Sequence, residues 1–322
     1  MKRKEIFVLR RGGDSKICCL KNGIIVELHR LNIPADGKYI ISKNGWIACI
    51  IKAGRRISTV KLNLKDDLNV FPPIILPERF QALSIGIYKD ILLVGGLFSE
   101  KELLGMIRLR TKKRKWIPLY VPEGIRMNGK AIDEILFVGD YLIAVDNMIL
   151  PKWLLVYSLS NPSYPLLESL QEIPIHGTNE NIVCGTVGNE WIALMSRTVG
   201  RAGVGFHISI LDKGFFCEKY SISFKIPLSD LAKRSNGSNR NKIDFLGDIL
   251  FITLKEKGLG FINFLKMEKD RSIERYYTKD MEGFSVENVI PHKTSNQIII
   301  EMNKNGKYIS KVIALGEIVN SE

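Results

Sequence analysis

Short apolar runs rich in Val, Ile, Leu, Phe, Tyr and Trp alternate with polar turns along the whole chain. No long stretch places apolar residues at the three and four spacing of a capped helix. The pattern predicts β-strands throughout. It is clearest from Val138 to Leu170, VGDYLIAVDNMILPKWLLVYSLSNPSYPLLESL. An apolar run opened by Gly139 and Asp140 is followed by a second from Trp153 to Leu159, and a third begins at Leu166. Between the last two stand Asn161, Pro162, Ser163 and Pro165. Pro162 and Pro165 fix two φ angles and remove two N–H donors, so neither a helix nor a central strand passes through. The expected structure is a meander of short antiparallel strands, with Asn161 and its neighbours as turn formers rather than ligands.

The pattern recurs. A turn pair followed by an apolar run stands at Asn44-Gly45-Trp46-Ile47, Lys89-Asp90-Ile91-Leu92, Gly139-Asp140-Tyr141-Leu142, Asn189-Glu190-Trp191-Ile192, Gly247-Asp248-Ile249-Leu250 and Ser295-Asn296-Gln297-Ile298. Anchored on Trp46, Ile91, Tyr141, Trp191, Ile249 and Gln297, the intervals are 45, 50, 50, 58 and 48 residues. That is near the roughly 40 to 50 residues of a propeller blade. Within this frame LLVYSLSNPSYPLLESL resembles the repeat of the LVIVD β-propellers, with Ser158 where that family has Asp. ILLVGGLFSEKELLGMIRLRTKKRKWIPL, Ile91 to Leu119, resembles a kelch repeat, with Gly95-Gly96 after the apolar run and Trp116 closing the outer strand. Its third strand lacks the usual Tyr. Both resemblances imply one architecture, an all-β β-propeller. Seven blades of four antiparallel strands are expected, with six or eight as alternatives, in a single domain over residues 1–322.

The N-terminal runs, two of them joined by Lys21-Asn22-Gly23, form the first blade and are placed to pair with the last. Trp46 and Trp191 are expected as core between blades. A polar insertion is expected at about 227–241, with a short helix at Leu228 to Lys233.

Composition changes the picture in one respect. Lys plus Arg number 47 against 34 Asp plus Glu, a formal net charge of +13 with a pI near 9.4, which favours anionic partners. Cys18, Cys19, Cys49, Cys184 and Cys217 are odd in number, without C-x-x-C spacing and mostly in apolar surroundings. Reduced thiols in a cytoplasmic protein are expected, and no zinc site. The apolar run Ile6 to Leu9 is too short for a signal peptide, and no run reaches a membrane span.

Three groups of residues are candidates for chemistry. In the expected phasing, Lys52, Arg55, Arg56, Arg197, Arg201, Lys255, Lys257, Lys304 and Lys307 fall on the face that holds the second-to-third-strand loops. Together they would form a positive mouth for phosphate or carboxylate groups, or only soluble, edge-protecting lysines. The run Arg108 to Trp116 lies on the opposite face and would track a nucleic-acid backbone, or simply charge a hairpin tip.

Acids on the innermost strands are Asp133 or Glu134, Glu180, Asp244 and Glu287. Converging, they would hold a divalent cation or act as acid and base; otherwise they cap backbone or pair with lysines. The four histidines, His29, His176, His207 and His292, occupy dissimilar positions and suggest no metal centre. No Walker loop, G-x-S-x-G or H-E-x-x-H is present, and the Gly-rich Val199 to Gly205 reads as a flexible loop between strands.

The resulting expectation is a non-catalytic interaction module or scaffold, without cofactor, that binds an acidic protein partner on a basic propeller face. The alternatives are a propeller enzyme with a carboxylate-lined channel and a divalent cation, and a nucleic-acid-binding protein.

Overall fold

A computed structural model of the chain describes residues 5–11, 14–31, 38–42, 44–51, 54–63, 65, 67–98, 102–109, 117–120, 132–146, 152–161, 166–173, 181–200, 203–227, 242–254, 261–267, 273–280 and 284–319. Strands form seven antiparallel sheets among these residues.

The first sheet holds β1 (Ile6–Arg11), β2 (Asp14–Lys21) and β3 (Ile24–Leu31), and the second β4 (Tyr39–Ile41), β5 (Trp46–Ile51), β6 (Arg56–Leu62) and β7 (Leu68–Ile75). The third has β8 (Phe80–Tyr88), β9 (Ile91–Phe98), β10 (Glu102–Arg108) and β11 (Ile117–Tyr120), and the fourth β12 (Ile132–Val138), β13 (Tyr141–Asp146), β14 (Lys152–Ser158) and β15 (Leu166–Ile173). The fifth contains β16 (Asn181–Val187), β17 (Trp191–Gly200), β18 (Gly203–Asp212) and β19 (Glu218–Pro227). The sixth contains β20 (Lys242–Leu246), β21 (Ile249–Thr253), β22 (Phe261–Met267) and β23 (Ile273–Asp280). The seventh ends the chain with β24 (Ser285–His292), β25 (Gln297–Lys304) and β26 (Lys307–Ala314), followed by the five-residue helix α1 (Leu315–Val319).

Each of the six anchor residues is the first residue of its sheet's second strand. The turns behind the pattern are visible in the backbone: Gly45, Lys89, Gly139, Gly247 and Asn296 all have positive φ. The expected seven blades of four strands are corrected, because five sheets have four strands and the first and last have three among the described residues. The anchors mark a sheet's first hairpin, which every blade shares, and carry no information about its fourth strand.

The chain divides into two compact units, Met1–Ile6 with Gly37–Ile175, and Phe7–Asp36 with His176–Glu322. In the first unit one core joins the second and third sheets around Trp46, Ile57, Phe80, Leu92 and Val94. Another joins the third and fourth around Ile91, Leu93, Ile132, Leu142, Leu155 and Tyr157. Thus Leu92 and Val94 face one neighbouring sheet while Ile91 and Leu93 face the other. A strand covered on both faces is continuously apolar, which is why these runs lack the simple in-out alternation of a half-exposed sheet.

The second unit repeats the device on β21. Leu250 and Ile252 pack against the fifth sheet, Ile249 and Phe251 against the seventh. Full burial of a side chain such as Phe251 stabilises by about 2–3 kcal/mol. Trp191 is half-buried against the first of these two cores, with its ring edge toward Tyr220 of its own sheet at 5.6 Å. The first sheet meets the last through Phe7, Leu9 and Cys18 against Ile290 and Ile299, with Phe7 edge-on to His292 at 6.2 Å. Among the described residues their strands belong to separate sheets, and the contact they make is one of packing.

Register carries a second regularity. In the second to seventh sheets the second-to-third-strand pair is unbroken: β5 with β6, β9 with β10, β13 with β14, β17 with β18, β21 with β22, and β25 with β26. Every third-to-fourth-strand pair is interrupted by a bulge or irregularity, and so is the pair β2 with β3. Bulges bend and twist an outer strand, which blunts it against pairing with other chains.

Candidate functional site

In the first unit the first strands of the sheets meet at polar contacts. The Ser84 hydroxyl donates to the carbonyl of Ile132 at 3.1 Å. Lys38, immediately before β4, reaches Glu134 on β12 at 3.3 Å. At the other end of these strands Tyr88 donates its hydroxyl to Asp140, Lys89 lies 3.7 Å from the same carboxylate, and its ammonium sits 4.6 Å from the centre of the Tyr88 ring. The Tyr88 hydrogen bond and the Lys89 charge hold the Asp140 carboxyl below its usual range; burial and Asp140 push the Tyr88 phenol up. The same contacts raise Lys89. Asn44 closes the series by donating to the carbonyl of Lys89 at 3.4 Å. The turn pairs that mark the repeat are therefore also the points where neighbouring sheets are tied.

In the second unit Asp244 on β20 accepts from the Thr186 hydroxyl on β16 at 3.3 Å and lies 3.6 Å from Lys242. Lys242 in turn donates to the carbonyl of Val289 on β24 at 3.4 Å. Glu301, 2% exposed, accepts from Asn288 at 3.0 Å. These carboxylates are held by neighbouring side chains and do not converge on one point. Among the described residues no group of three or more His, Cys, Asp and Glu could hold a metal ion.

The basic candidates divide differently. Lys304 and Lys307 are exposed and bracket the turn Asn305-Gly306 of one hairpin, with Lys311 exposed four residues further along the strand. The Lys304 ammonium lies 5.1 Å from the centre of the Phe284 ring. Arg55 is exposed but donates to the carbonyl of Glu78, tying its turn to the connection between the second and third sheets. Arg56 is half-buried in β6. Arg197 is half-buried within β17, opposite Phe206, because β17 and β18 extend to Gly200 and Gly203. The expected Gly-rich loop from Val199 to Gly205 is thus corrected to strand pairing that continues to Gly200 and Gly203.

Lys52, Arg201, Lys255, Lys257, Glu180, His176, residues 228–241 and the greater part of the basic run, 110–116, lie outside the described residues, as does the side chain of Asp133. Glu287 is half-buried at the irregularity between Val286 and Asn288 on β24. The cysteines are free, with Cys18, Cys19 and Cys49 buried. Sequence reasoning missed the Tyr88–Lys89–Asp140 group, although two of its members stand in the recurring turn pairs, and it missed Lys311 and helix α1.

No family model matches the chain, and no curated protein matches its sequence. Solved structures do. A chain of Kuenenia stuttgartiensis hydrazine synthase superposes with a TM-score of 0.62 at 10% identity, over 94% of this chain and 90% of that one. A putative 6-phosphogluconolactonase from Bacteroides uniformis gives 0.57 at 13% identity, over 94% and 92%. Sqt1 from Chaetomium thermophilum gives 0.55 at 10% identity, over 98% and 80%. The fold is a β-propeller. At such identities the likeness is one of fold, and propellers host many unrelated functions. No helix among the described residues of this propeller is long and apolar enough to cross a membrane.

Proposed function

We propose that this propeller is a non-catalytic interaction module that binds an acidic protein partner through exposed lysines. The carrying observation is the contrast between its charges. Glu134, Asp244 and Glu301 are each engaged by a side chain of the protein, whereas Lys304, Lys307 and Lys311 lie exposed on one hairpin with no ion pair among the described residues. Carboxylates already compensated by Lys38 and Lys242 are poor candidates for a cation site or an acid–base pair. Open lysines on a rigid hairpin steer and orient an anionic partner at little entropic cost. A cytoplasmic location belongs to the same reading, supported by the free cysteines, three of them buried.

The test is affinity capture from native extract, with and without nuclease, comparing the wild type with K304E/K307E. A retained acidic protein that survives nuclease and is lost in the variant is the expected result. Retention that depends on nucleic acid would replace this reading with the nucleic-acid one.

A further inference from the structure

Five turns of the second unit gather at one end of it. In the fifth sheet the turn from Asp212 to Cys217, which joins β18 to β19, sits beside the turn between β16 and β17. The Lys213 N–H donates to the carbonyl of Glu190 at 3.1 Å, and its ammonium donates to the carbonyls of Gly188 and Asn189 at 3.2 and 2.9 Å. A methyl group on Gly188 would meet the Phe245 ring at 2.9 Å, so this end adjoins the end of β20 and its turn Gly247-Asp248. Leu246 and Ile249 flank that turn and share a core with Ile298, which follows the first turn of the last sheet. His292, before that same turn, meets Phe7 at the start of β1. β1 leaves from this end and β2 returns to it, which brings the turn Lys21–Ile24 here as well. Leu20 and Ile25 beside it pack on the cluster of Ile290 and Ile299.

Two large apolar side chains of this unit are exposed among the described residues, and both stand on these turns: Phe215, 73% exposed, and Ile24, 68%. Phe215 is held out by its own turn. The Asp212 carboxylate accepts from the N–H groups of Gly214 and Phe215 at 2.7 and 3.0 Å, and the Phe216 N–H donates to the Asp212 carbonyl at 2.8 Å. Phe216 has a φ of 57°, a left-handed conformation that a bulky residue keeps only where its surroundings over-determine it. A lysine accompanies each tip. Lys219 is exposed with its ammonium 6.0 Å from the centre of the Phe215 ring, and Lys21 is exposed at the start of the other turn. Glu190, Asp248 and Glu317 are exposed at the same end, but on first-to-second-strand turns and on α1. Both tips stand instead on turns that lead into the last strand of their sheets.

We propose that this end of the second unit docks on an anionic lipid surface. Phe215 and Ile24 enter the boundary between headgroups and acyl chains, and Lys219 and Lys21 lie beside headgroup phosphates. The inference goes beyond the module reading, because Lys304 and Lys307 bracket a second-to-third-strand turn, at the opposite end of the last sheet. Two apolar tips on two different sheets favour a broad surface over a pocket. A pocket takes one anchoring side chain, whereas a bilayer takes each tip where it projects. The net charge of +13 draws the chain to an anionic leaflet and opposes the approach of a second copy.

The probe is the full chain sedimented with phosphatidylcholine vesicles containing about 30% phosphatidylserine, a composition that gives a strongly negative surface. Saturable binding is expected, weakened roughly tenfold by I24S/F215S. Both positions are exposed, so the circular dichroism of the variant should match the wild type. Insertion is read separately from adsorption by an environment-sensitive dye on Cys217, the one exposed cysteine of the five. Its emission should shift to the blue on binding and be quenched by lipids spin-labelled in the acyl chain. Absence of binding by folded wild-type protein overturns the proposal. So does binding that I24S/F215S retains in full with an unshifted dye, which is adsorption by net charge alone. If vesicles are not bound and F215S instead loses the acidic protein of the capture experiment, the tips serve that partner and the lipid proposal falls. The module reading itself is decided separately, by capture with K304E/K307E.

Discussion

Asp140 shows how much a single turn residue does in this propeller. Its carboxylate accepts from Tyr88 and faces Lys89, and both hold it below the ordinary value of 3.8. A depressed carboxyl stabilises the fold fully above its unfolded value and loses that contribution as pH falls through the folded one. D140N should therefore melt below the wild type at neutral pH, and the two melting temperatures should draw together as pH falls below the ordinary carboxyl value of 3.8, as read by thermal scans. Tyr157 makes the opposite case. Its hydroxyl is buried without a hydrogen-bond partner among the described residues, and burial pushes its phenol far up. An unmade buried hydrogen bond costs about 1–3 kcal/mol, so Y157F should match or exceed the wild type in chemical denaturation. A clear loss of stability on removing that oxygen would show that it has a partner.

Between neighbouring strands, the Gly95-Gly96 pair is a matter of space. A methyl group on Gly95 would meet Ser84 and Ile132 at 2.5 and 2.6 Å, and one on Gly96 would meet the Gln81 carbonyl oxygen at 2.1 Å. The glycine pair thus lets β9 lie close to β8 and to the next sheet. Because the obstacle to Gly96→Ala is backbone, that substitution should cost more than the 1 kcal/mol or so of an ordinary strand position, measured by urea unfolding. Such elements were legible in the sequence: the turn pairs located the start of the second strand in six of the seven sheets, and the prolines after Ser160 set the fourth strand of that sheet. Strand length was less legible. Val199 to Gly205 reads as a loop because glycine weakens strand propensity, but pairing of β17 with β18 continues through Gly203 and Gly205. Of the candidate site, Lys304 and Lys307 were readable from their turn. Arg55 and Arg197 were not, because a hydrogen bond to a distant carbonyl or a place inside a strand leaves no local trace.

On the scale of the whole molecule, the net charge of +13 and the fold similarity at 10–13% identity constrain different things. Shape is retained by apolar strands buried on both faces, which many sequences supply, while charge belongs to this chain. Binding of an acidic partner should weaken as salt rises from 50 to 300 mM, chiefly through slower association, readable by surface plasmon resonance. The contact between first and last sheets is the other whole-molecule feature. Phe7→Asp should raise amide exchange in β24 and β25, because Ile290 and Ile299 lose the face they pack against.

That contact also orders events during synthesis. β1 to β3 emerge first, but the surface that covers Phe7, Leu9 and Cys18 is translated some 250 residues later. At about 5–20 residues per second the wait is on the order of ten to fifty seconds. Throughout it the nascent chain carries an apolar sheet face still uncovered, and translation of the last sheet is what covers it.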